Sequence, residues 1–250
     1  MNVRDKGILI TGAAGGLGSE MARLLCAHGA QVVIADLDEE KGRALARELA
    51  GQGSHAHFVR LDVTREEDWH AAVRFAVSAC GRLDVLVNNA GINIRKPVEE
   101  MVMAEWMKMM EVNTGSVFLG CKAVIPGMRA QGGGAIINIS SVCGLIGHLY
   151  TTEAYTATKG AVTLLTRAIA SRYGKDNIRC NSVHPSTVDT PLVHKMLEDP
   201  AWRAQRVGEV PLGRLARAAD VANMVLYLAS EEGAFINGAA MTVDGGVTAY

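Results

Sequence analysis

The stretch Gly7-Ile-Leu-Ile-Thr11-Gly-Ala-Ala-Gly-Gly16-Leu-Gly18 decides the fold, because a short apolar run passes directly into a glycine-rich turn. Apolar residues from Leu17 to Leu25 then recur at helical spacing, so a helix begins within the turn. Its N-terminus directs unpaired N–H groups into the loop, which suits a pyrophosphate. Gly12, Gly16 and Gly18 let the backbone turn tightly and approach phosphates closely.

A second strand, Gln31-Val-Val-Ile-Ala35, ends in Asp36, eighteen positions after Gly18. A carboxylate at this point can accept hydrogen bonds from an adenosine ribose. It would repel a 2′-phosphate, and neither the turn nor Leu37 and Asp38 supplies a basic residue, so the pattern favours NAD over NADP. The alternative is that Asp36 only caps the next helix, although Asp38 is an equally good N-cap.

Apolar, strand-like segments alternate with longer helical stretches along the rest of the chain. This alternation predicts an α/β protein with a Rossmann-like, doubly wound parallel sheet of about seven strands and helices on both faces. Ligands collect at the carboxyl edge of such a sheet. The remaining strands are expected near residues 55–60, 83–87, 135–140, 178–183 and 240–243.

Length and composition favour one dinucleotide-binding and catalytic domain over residues 1–250. The formal net charge of −1 and the lack of basic patches argue against nucleic acid or an anionic membrane as partner. No apolar run of membrane-spanning length and no signal-peptide pattern occur, which predicts a cytoplasmic protein. The five cysteines form no Cys-x-x-Cys pair, and neither a disulfide framework nor a metal site is expected.

Tyr155-Thr-Ala-Thr-Lys159 puts a phenol and an ammonium on one helix face. A neighbouring positive charge favours the phenolate, so Lys159 is expected to lower the pKa of Tyr155 towards neutrality. A phenol tuned in this way can act as a general acid and base at a substrate oxygen. Taken alone, the same spacing also fits an amphipathic helix with a snorkelling lysine.

With these motifs in place, the chain resembles the short-chain dehydrogenase/reductase family over nearly its whole length. The resemblance rests on motifs that recur in order, namely the Thr11-Gly-x-x-x-Gly16-x-Gly18 turn, Asp62-Val63, Asn88-Asn89-Ala90-Gly91, and the four residues Asn113, Ser141, Tyr155 and Lys159. Two departures are visible. Ser141 precedes Tyr155 by one residue more than usual, and Ser186 stands where the family typically has glycine after Pro185.

The resemblance implies hydride transfer between NAD(H) and a secondary alcohol or ketone. Tyr155 would exchange the proton with the substrate oxygen, Ser141 would hydrogen-bond that oxygen, and Lys159 would stabilise the phenolate and bind a ribose. Asn113 would anchor a water that leads to solvent, although a purely structural amide is the alternative. Ser140 is the competing serine.

The resemblance and the motifs together give the following expected cofactor contacts: Gly12, Gly16, Leu17, Gly18, Asp36, Asp62, Val63, Asn89, Gly91, Tyr155, Lys159, Pro185, Val188 and Thr190.

The substrate pocket is expected to hold Asn93, Ile94, Ser141, Val142, His148, Leu149, Tyr150, Tyr155, His184 and Ser186. Several of these are apolar, which favours a cyclic, aromatic or steroid-like alcohol over a small charged acid. Residues 190–210, with Leu192, Met196, Leu197 and Trp202 among charges, are predicted to form a substrate lid. A helix that packs against a sister subunit explains the same pattern.

Two other functions remain open at this point. A dinucleotide-binding sensor without turnover would keep the fold, since a fold alone does not establish function. An adenosylmethionine-dependent methyltransferase could use a similar sheet, but it would not need Tyr155 with Lys159 four residues later. The family resemblance also implies a homotetramer, formed partly by the helices that follow Asn113 and Tyr155.

Overall fold

A seven-stranded parallel sheet forms the centre of the protein. The computed structural model describes residues 1–249, without the side chains of residues 192, 194 and 195. The strands in chain order are β1 (Gly7–Thr11), β2 (Gln31–Asp36), β3 (Ala56–Arg60), β4 (Val85–Asn88), β5 (Gly134–Ile139), β6 (Ile178–Pro185), β7 (Val188–Asp189), β8 (Ala216–Arg217) and β9 (Ala240–Val243). The main sheet has the order β3-β2-β1-β4-β5-β6-β9, and β7 pairs with β8 in a separate two-stranded sheet. The strand order reverses between β1 and β4, where a doubly wound sheet opens its ligand crevice.

Nine α-helices connect the strands within the described chain. They are α1 (Gly16–Ala27), α2 (Glu39–Gly51), α3 (Glu66–Cys80), α4 (Met103–Met110), α5 (Ser116–Ala130), α6 (Glu153–Tyr173), α7 (Pro191–Leu197), α8 (Pro200–Gly208) and α9 (Ala218–Ala229). A π-helical turn, Glu111–Gly115, joins α4 to α5. Among the described residues, no helix is both long and apolar enough to cross a membrane.

The two faces of the sheet carry separate apolar cores. Alternate residues of a strand point to opposite faces, so Ile8 and Ile10 contact one core and Leu9 the other. The first core includes α1, α2 and α9, and the second includes α3, α5 and α6. Helices therefore cover both faces, and the predicted doubly wound α/β fold is confirmed.

Close packing between helix and sheet depends on a small residue in α2. A Cβ added to Gly42 would clash with the Phe58 ring of β3. The missing side chain thus lets α2 lie flat against the sheet beside the end of β2. Sequence periodicity does not reveal this contact, because Gly42 and Phe58 belong to different elements.

Candidate active site

A cleft of about 530 Å³ lies along the carboxyl edge of the sheet, where the strand order reverses. It extends from the glycine turn and Asp36 at one end to Tyr155 and the α7–α8 segment at the other. The expected site residues that line it are Gly12, Gly16, Leu17, Gly18, Asp36, Asn89, Gly91, Asn93, Ser141, Val142, His148, Tyr155, Lys159, Pro185, Ser186, Val188 and Thr190.

The glycine turn is shaped for close approach by a ligand. Gly12 has a φ of +61°, and a Cβ there would lie 3.0 Å from the Cα of Ala90. A Cβ on Gly18 would clash with the Gly12 carbonyl oxygen. Helix α1 begins after Gly15 with no side-chain cap and no acidic residue in its first turn. Its N-terminal N–H groups and its positive dipole end are therefore suited to a diphosphate.

Asp36 lies at the end of β2 and faces this turn. Its Oδ2 accepts a hydrogen bond from the Ala14 N–H at 2.9 Å, and its Oδ1 accepts one from the Asp38 N–H at 3.0 Å. Asp38 itself caps α2 by accepting from the Lys41 N–H. Capping is thus done by Asp38, and the Asp36 carboxylate keeps lone pairs towards the cleft. The residues at this end fit the adenosine and diphosphate of a dinucleotide.

Lys41 is a cleft-lining residue that sequence reasoning missed. Its Nζ lies 2.7 Å from Asp38 Oδ2, so the ammonium is paired. The spacing Asp38-x-x-Lys41 within a helical segment would have indicated that the two share a face.

Asn89 connects β4 to the glycine turn. Its Nδ2 donates to the Thr11 and Gly12 carbonyl oxygens at 2.9 and 3.1 Å. This contact holds the turn against the central strand. Asp62 and Val63, by contrast, do not line the cleft of the described chain. Asp62 Oδ1 accepts from the Thr64 hydroxyl at 2.7 Å, and that bond holds the pKa of the carboxyl below its usual value.

Helix α6 presents Tyr155 and Lys159 to the cleft from the same face. Lys159 Nζ lies 5.5 Å from the centroid of the Tyr155 ring and donates a hydrogen bond to the Ile139 carbonyl oxygen at 2.8 Å. Lys159 is almost fully buried and Tyr155 is partly exposed. The lysine therefore lies beneath the phenol, fixed to the end of β5.

Ser141, and not Ser140, acts on Tyr155. A hydrogen bond from the Ser141 side chain lowers the pKa of the phenol. The Ser140 hydroxyl instead donates to the Lys159 carbonyl oxygen at 3.0 Å and lies 3.5 Å from Thr163 Oγ1. The geometry therefore favours Ser141 as the serine that serves the substrate oxygen.

The expected direction of the Tyr155 pKa is wrong for this structure. Burial raises the pKa of the phenol above its usual value, and this effect exceeds the opposing contributions of Ser141 and Arg95. Burial also lowers the pKa of Lys159 to about 8. Tyr155 and Lys159 thus share one helix face as expected, but burial outweighs the opposing contributions at both groups.

Asn113 lies in the π-helical turn between α4 and α5, a type of turn that is frequent at functional sites. Its Oδ1 accepts from the Ile92 N–H at 2.8 Å, and its Nδ2 donates to the Ile92 carbonyl oxygen and to Thr158 Oγ1. The amide therefore ties the segment after β4 to helix α6. Asn113 lies behind Gly91, since a Cβ on Gly91 would be 3.3 Å from Asn113 Oδ1.

His184 is not a substrate contact, which corrects the sequence-based expectation. The ring is fully buried. Its Nδ1 lies 2.7 Å from the Ser141 carbonyl oxygen and its Nε2 lies 2.7 Å from Ser182 Oγ. Burial lowers the pKa of the imidazole. A neutral ring that donates from Nδ1 to Ser141 and accepts from Ser182 satisfies both contacts, so His184 supports the serine loop from behind.

Three further expected pocket residues, Ile94, Leu149 and Tyr150, do not line the cleft of the described chain. Leu149 is 85% exposed, which leaves it in solvent at the tip of its loop. The extra residue between Ser141 and Tyr155 lies in this loop. Ser186, the residue in place of glycine, does line the cleft, and its buried hydroxyl has no partner among the described residues.

The substrate end holds a charged cluster that sequence reasoning also missed. Arg206 of α8 and Glu209 line the cleft beside His148. His148 Nε2 and Arg206 Nη1 lie 3.3 and 3.2 Å from Glu209 Oε2. Arg206 and Glu209 were included in the predicted lid only as charges of an amphipathic segment, because periodicity gives no sign of which charges turn inward.

Comparison with known proteins agrees with the fold and the cleft. A family model described as enoyl-(acyl carrier protein) reductase matches residues 12–248. The chain also superimposes on the solved structure of gox2181 with a TM-score of 0.96 at 33% identity, covering 100% of this chain and 98% of that one.

Three relatives are similar over almost their whole length. The chain is 44% identical to a cyclopentanol dehydrogenase of Comamonas testosteroni, covering 99% of this chain and 98% of the relative. It is 47% identical to a trans-4-hydroxycyclohexanecarboxylate dehydrogenase of Sinomonas cyclohexanicum, with 99% and 94% covered. It is 44% identical to a 3-alpha-(or 20-beta)-hydroxysteroid dehydrogenase of Mycobacterium tuberculosis, with 96% and 88% covered.

The chain therefore belongs to the short-chain dehydrogenase/reductase family. It is an oxidoreductase that acts on secondary alcohols with a nicotinamide cofactor. The comparisons give no support to the sensor or the methyltransferase.

Proposed function

We propose that the protein is an NAD-dependent dehydrogenase of cyclic secondary alcohols and a reductase of the corresponding ketones. The observation that carries the proposal is the convergence of Ser141, Tyr155 and Lys159 on one cleft whose other end carries the glycine turn and Asp36. The names of the relatives, which include cyclopentanol and hydroxysteroid dehydrogenases, support a ring-bearing substrate.

The nicotinamide, when bound, supplies the hydride acceptor or donor. Ser141 and Tyr155 hold the substrate oxygen, and Tyr155 takes its proton during oxidation and returns it during reduction. Lys159 stabilises the phenolate by its charge from below the ring. His184 fixes the backbone of the serine loop through the Ser141 carbonyl. Asn113 holds the segment after β4 against α6, and we propose that it also anchors the water through which the proton leaves.

A preference for NAD over NADP is supported by the charges at the adenosine end. Asp36 and Asp38 both line the cleft there, and the nearest ammonium, that of Lys41, is already paired with Asp38. A 2′-phosphate would meet two carboxylates and, among the described residues that line this end, no unpaired cation. The other cofactor contacts expected from the sequence, including Asp62 and Val63, stay part of this proposal.

Residues 190–210 are proposed to form the substrate lid of a single domain that spans residues 1–250. Val193, Arg206, Glu209 and Val210 of this segment line the cleft. The side chain of Leu192, which the sequence also assigns to the lid, lies outside the described residues. Closure of such a segment excludes water from the site.

A homotetramer in the cytoplasm is proposed as the state of the protein. Phe118 of α5 and Leu164 of α6 are 52% and 65% exposed; α5 follows Asn113, and α6 carries Tyr155 in its first turn. Large apolar side chains on two neighbouring helices favour burial against another copy. All five cysteines are free thiols in the structure, as is usual in a reducing compartment.

The test is NAD reduction by a panel of cyclic, aromatic and steroid alcohols, followed by the absorbance of the reduced nicotinamide. We expect turnover with cyclic alcohols and a loss of about 10²- to 10⁴-fold in Tyr155→Phe, because the proton acceptor is removed. Tryptophan quenching by NADH should remain unchanged in that variant. Full activity of Tyr155→Phe, or no reaction with any alcohol in the panel, would refute the proposal.

A further inference from the structure

Two arginines lie near the substrate end of the cleft, and one of them, Arg206, lines it. Arg206 is 4% exposed. Arg95 follows the cleft-lining residues Ile92 and Asn93 and keeps contact with solvent. Burial lowers the pKa of Arg95, the charge of Arg206 lowers it further, and Tyr155 raises it. The guanidinium of Arg95 is therefore near both the buried arginine and the phenol.

The contacts of Arg206 leave part of its hydrogen-bonding capacity unused. Nη1 donates to Glu209, and Nη2 donates to the Tyr150 carbonyl oxygen at 2.7 Å. The guanidinium also lies 4.9 Å from the Trp202 ring centroid and 5.1 Å from that of Tyr150. Nε, however, is buried with no partner among residues 1–249. Buried polar groups are normally paired, so an unpaired donor on a cleft-lining side chain favours a ligand group as its partner, which a small shift of the surrounding side chains would admit.

The positive charge of Arg95 is not balanced by an acidic partner among the described residues. Arg95 makes no hydrogen bond or ion pair with the described residues. Glu209 supplies one negative charge against the two arginines, and His148 already shares that carboxylate. The substrate end thus carries a net positive charge, whereas Asp36 and Asp38 make the adenosine end negative. A clamp between α8 and the Tyr150 loop would explain the Nη contacts of Arg206, but it explains neither the free Nε nor Arg95.

We propose that the substrate is an anionic cyclic alcohol whose carboxylate is bound by Arg206 and Arg95 while its hydroxyl contacts Tyr155. A guanidinium presents parallel N–H donors that match a carboxylate, and a partly desolvated pair of guanidiniums gains most from a shared anion. The inference rests on the proposed dehydrogenase function and adds the charge of the substrate to it. It also reverses the expectation from apolar residues that a charged acid is disfavoured.

The first experiment compares substrates that differ only in charge. Hydroxycyclohexanecarboxylate and its carboxamide have the same ring and nearly the same size, and cyclohexanol gives the neutral reference. We expect kcat/KM for the carboxylate to exceed that for the carboxamide by about 10-fold or more, the scale of one charged hydrogen bond. Added salt should reduce the advantage, since Arg95 is open to solvent. Equal kcat/KM values for the carboxylate and the carboxamide would overturn the proposal while leaving the dehydrogenase function intact.

The second experiment assigns the charge to Arg95. Arg95→Gln is expected to lower the carboxylate-to-carboxamide ratio about 10-fold, and Arg95→Glu should lower it more. Lys96→Gln is the matched control, because Lys96 is the next residue and already pairs with Glu105. The control should keep the wild-type ratio. An unchanged ratio in both Arg95 variants, or an equal fall in the Lys96 control, would contradict the assignment.

A third measurement does not depend on turnover. Cyclohexanecarboxylate, which lacks the reacting hydroxyl, should bind the NAD-loaded enzyme in isothermal titration, and cyclohexanecarboxamide should bind at least about 10-fold more weakly. Arg206→Lys keeps a positive charge but loses Nε and the fork, and it should weaken the carboxylate selectively; its melting temperature shows whether the fold is retained. If the enzyme binds cyclohexanecarboxylate and cyclohexanecarboxamide with equal affinity, the anion site is refuted. If carboxylate binds but no alcohol is oxidised, the anion site stands and the dehydrogenase function fails.

Discussion

The two ends of the cleft are built in different ways. The dinucleotide end consists of strand termini and a helix start, where the Asn89 and Asp36 side chains form hydrogen bonds with the backbone of the glycine turn. The substrate end consists of the loop after Ser141 and helices α7 and α8, and side-chain contacts such as Arg206 with Glu209 hold it together. Backbone geometry therefore shapes the proposed cofactor site, whereas a few charged side chains define the proposed substrate site.

The largest expected effect distinguishes the two serines where the two ends meet. Ser141→Ala removes a hydroxyl next to the reacting oxygen, so we expect kcat to fall by about 10²- to 10³-fold with little change in NAD affinity. Ser140→Ala removes the bond to the Lys159 carbonyl and should lower the free energy of unfolding by about 1 kcal/mol. Steady-state kinetics and denaturant unfolding measure both. If Ser140→Ala lost more activity than Ser141→Ala, the assignment would be reversed.

Lys159 is expected to reduce stability at neutral pH. Its pKa is 10.5 when unperturbed and about 8 in the folded protein. Between these values the unfolded chain holds the extra proton, so the contribution of Lys159 to stability increases with pH through this window. The difference of about 2.5 in pKa, at ~1.4 kcal/mol each, corresponds to about 3 kcal/mol.

Lys159→Met should therefore be inactive yet more stable than the wild type at pH 7, by up to about 3 kcal/mol. The stability advantage should shrink as pH rises from 8 and disappear above about 10.5. Chemical unfolding of both proteins across this range measures the difference between their free energies of unfolding. Titration of the thiols and of other groups that both proteins share cancels in this difference. If this difference did not vary with pH, burial of the Lys159 ammonium would not destabilise the folded protein.

Cofactor choice gives a test of the dinucleotide end. Asp36→Ala should reduce the NAD-to-NADP ratio of kcat/KM by about 10- to 100-fold, because it removes ribose hydrogen bonds and a charge that repels phosphate. Adding Asp38→Ala should reduce the ratio further by freeing Lys41, and adding Lys41→Gln should undo that gain. If adding Lys41→Gln left kcat/KM for NADP unchanged, Lys41 would have no role in cofactor choice.

The smallest expected effect concerns Leu149. Since this side chain lies in solvent, Leu149→Ser should change kcat/KM for a cyclic alcohol by less than about 2-fold and leave the melting temperature almost unchanged. A large rise in KM would mean that the loop folds inward around the substrate.

Most of the fold could be predicted because strands and helices have regular periods, and the predicted strands fall within a few residues of β1–β6 and β9. Asp36 was also predictable, since it follows the last apolar residue of its strand. His184 was misassigned because a strand residue near a site can point either way, and only the packed structure places its ring behind Ser141. The proximity of Arg206 and Arg95 could not be predicted, because it depends on loops whose course no short sequence pattern encodes.

The wide turn at Glu111–Gly115 holds one residue more than an ordinary helical turn. Each residue of an α-helix adds about 100° of rotation, so deleting a single position there would swing Asn113 away from Ile92 and Thr158 while leaving the sheet untouched. A variant one residue shorter in this turn would keep the sheet but lose the hydrogen bonds that join the segment after β4 to helix α6.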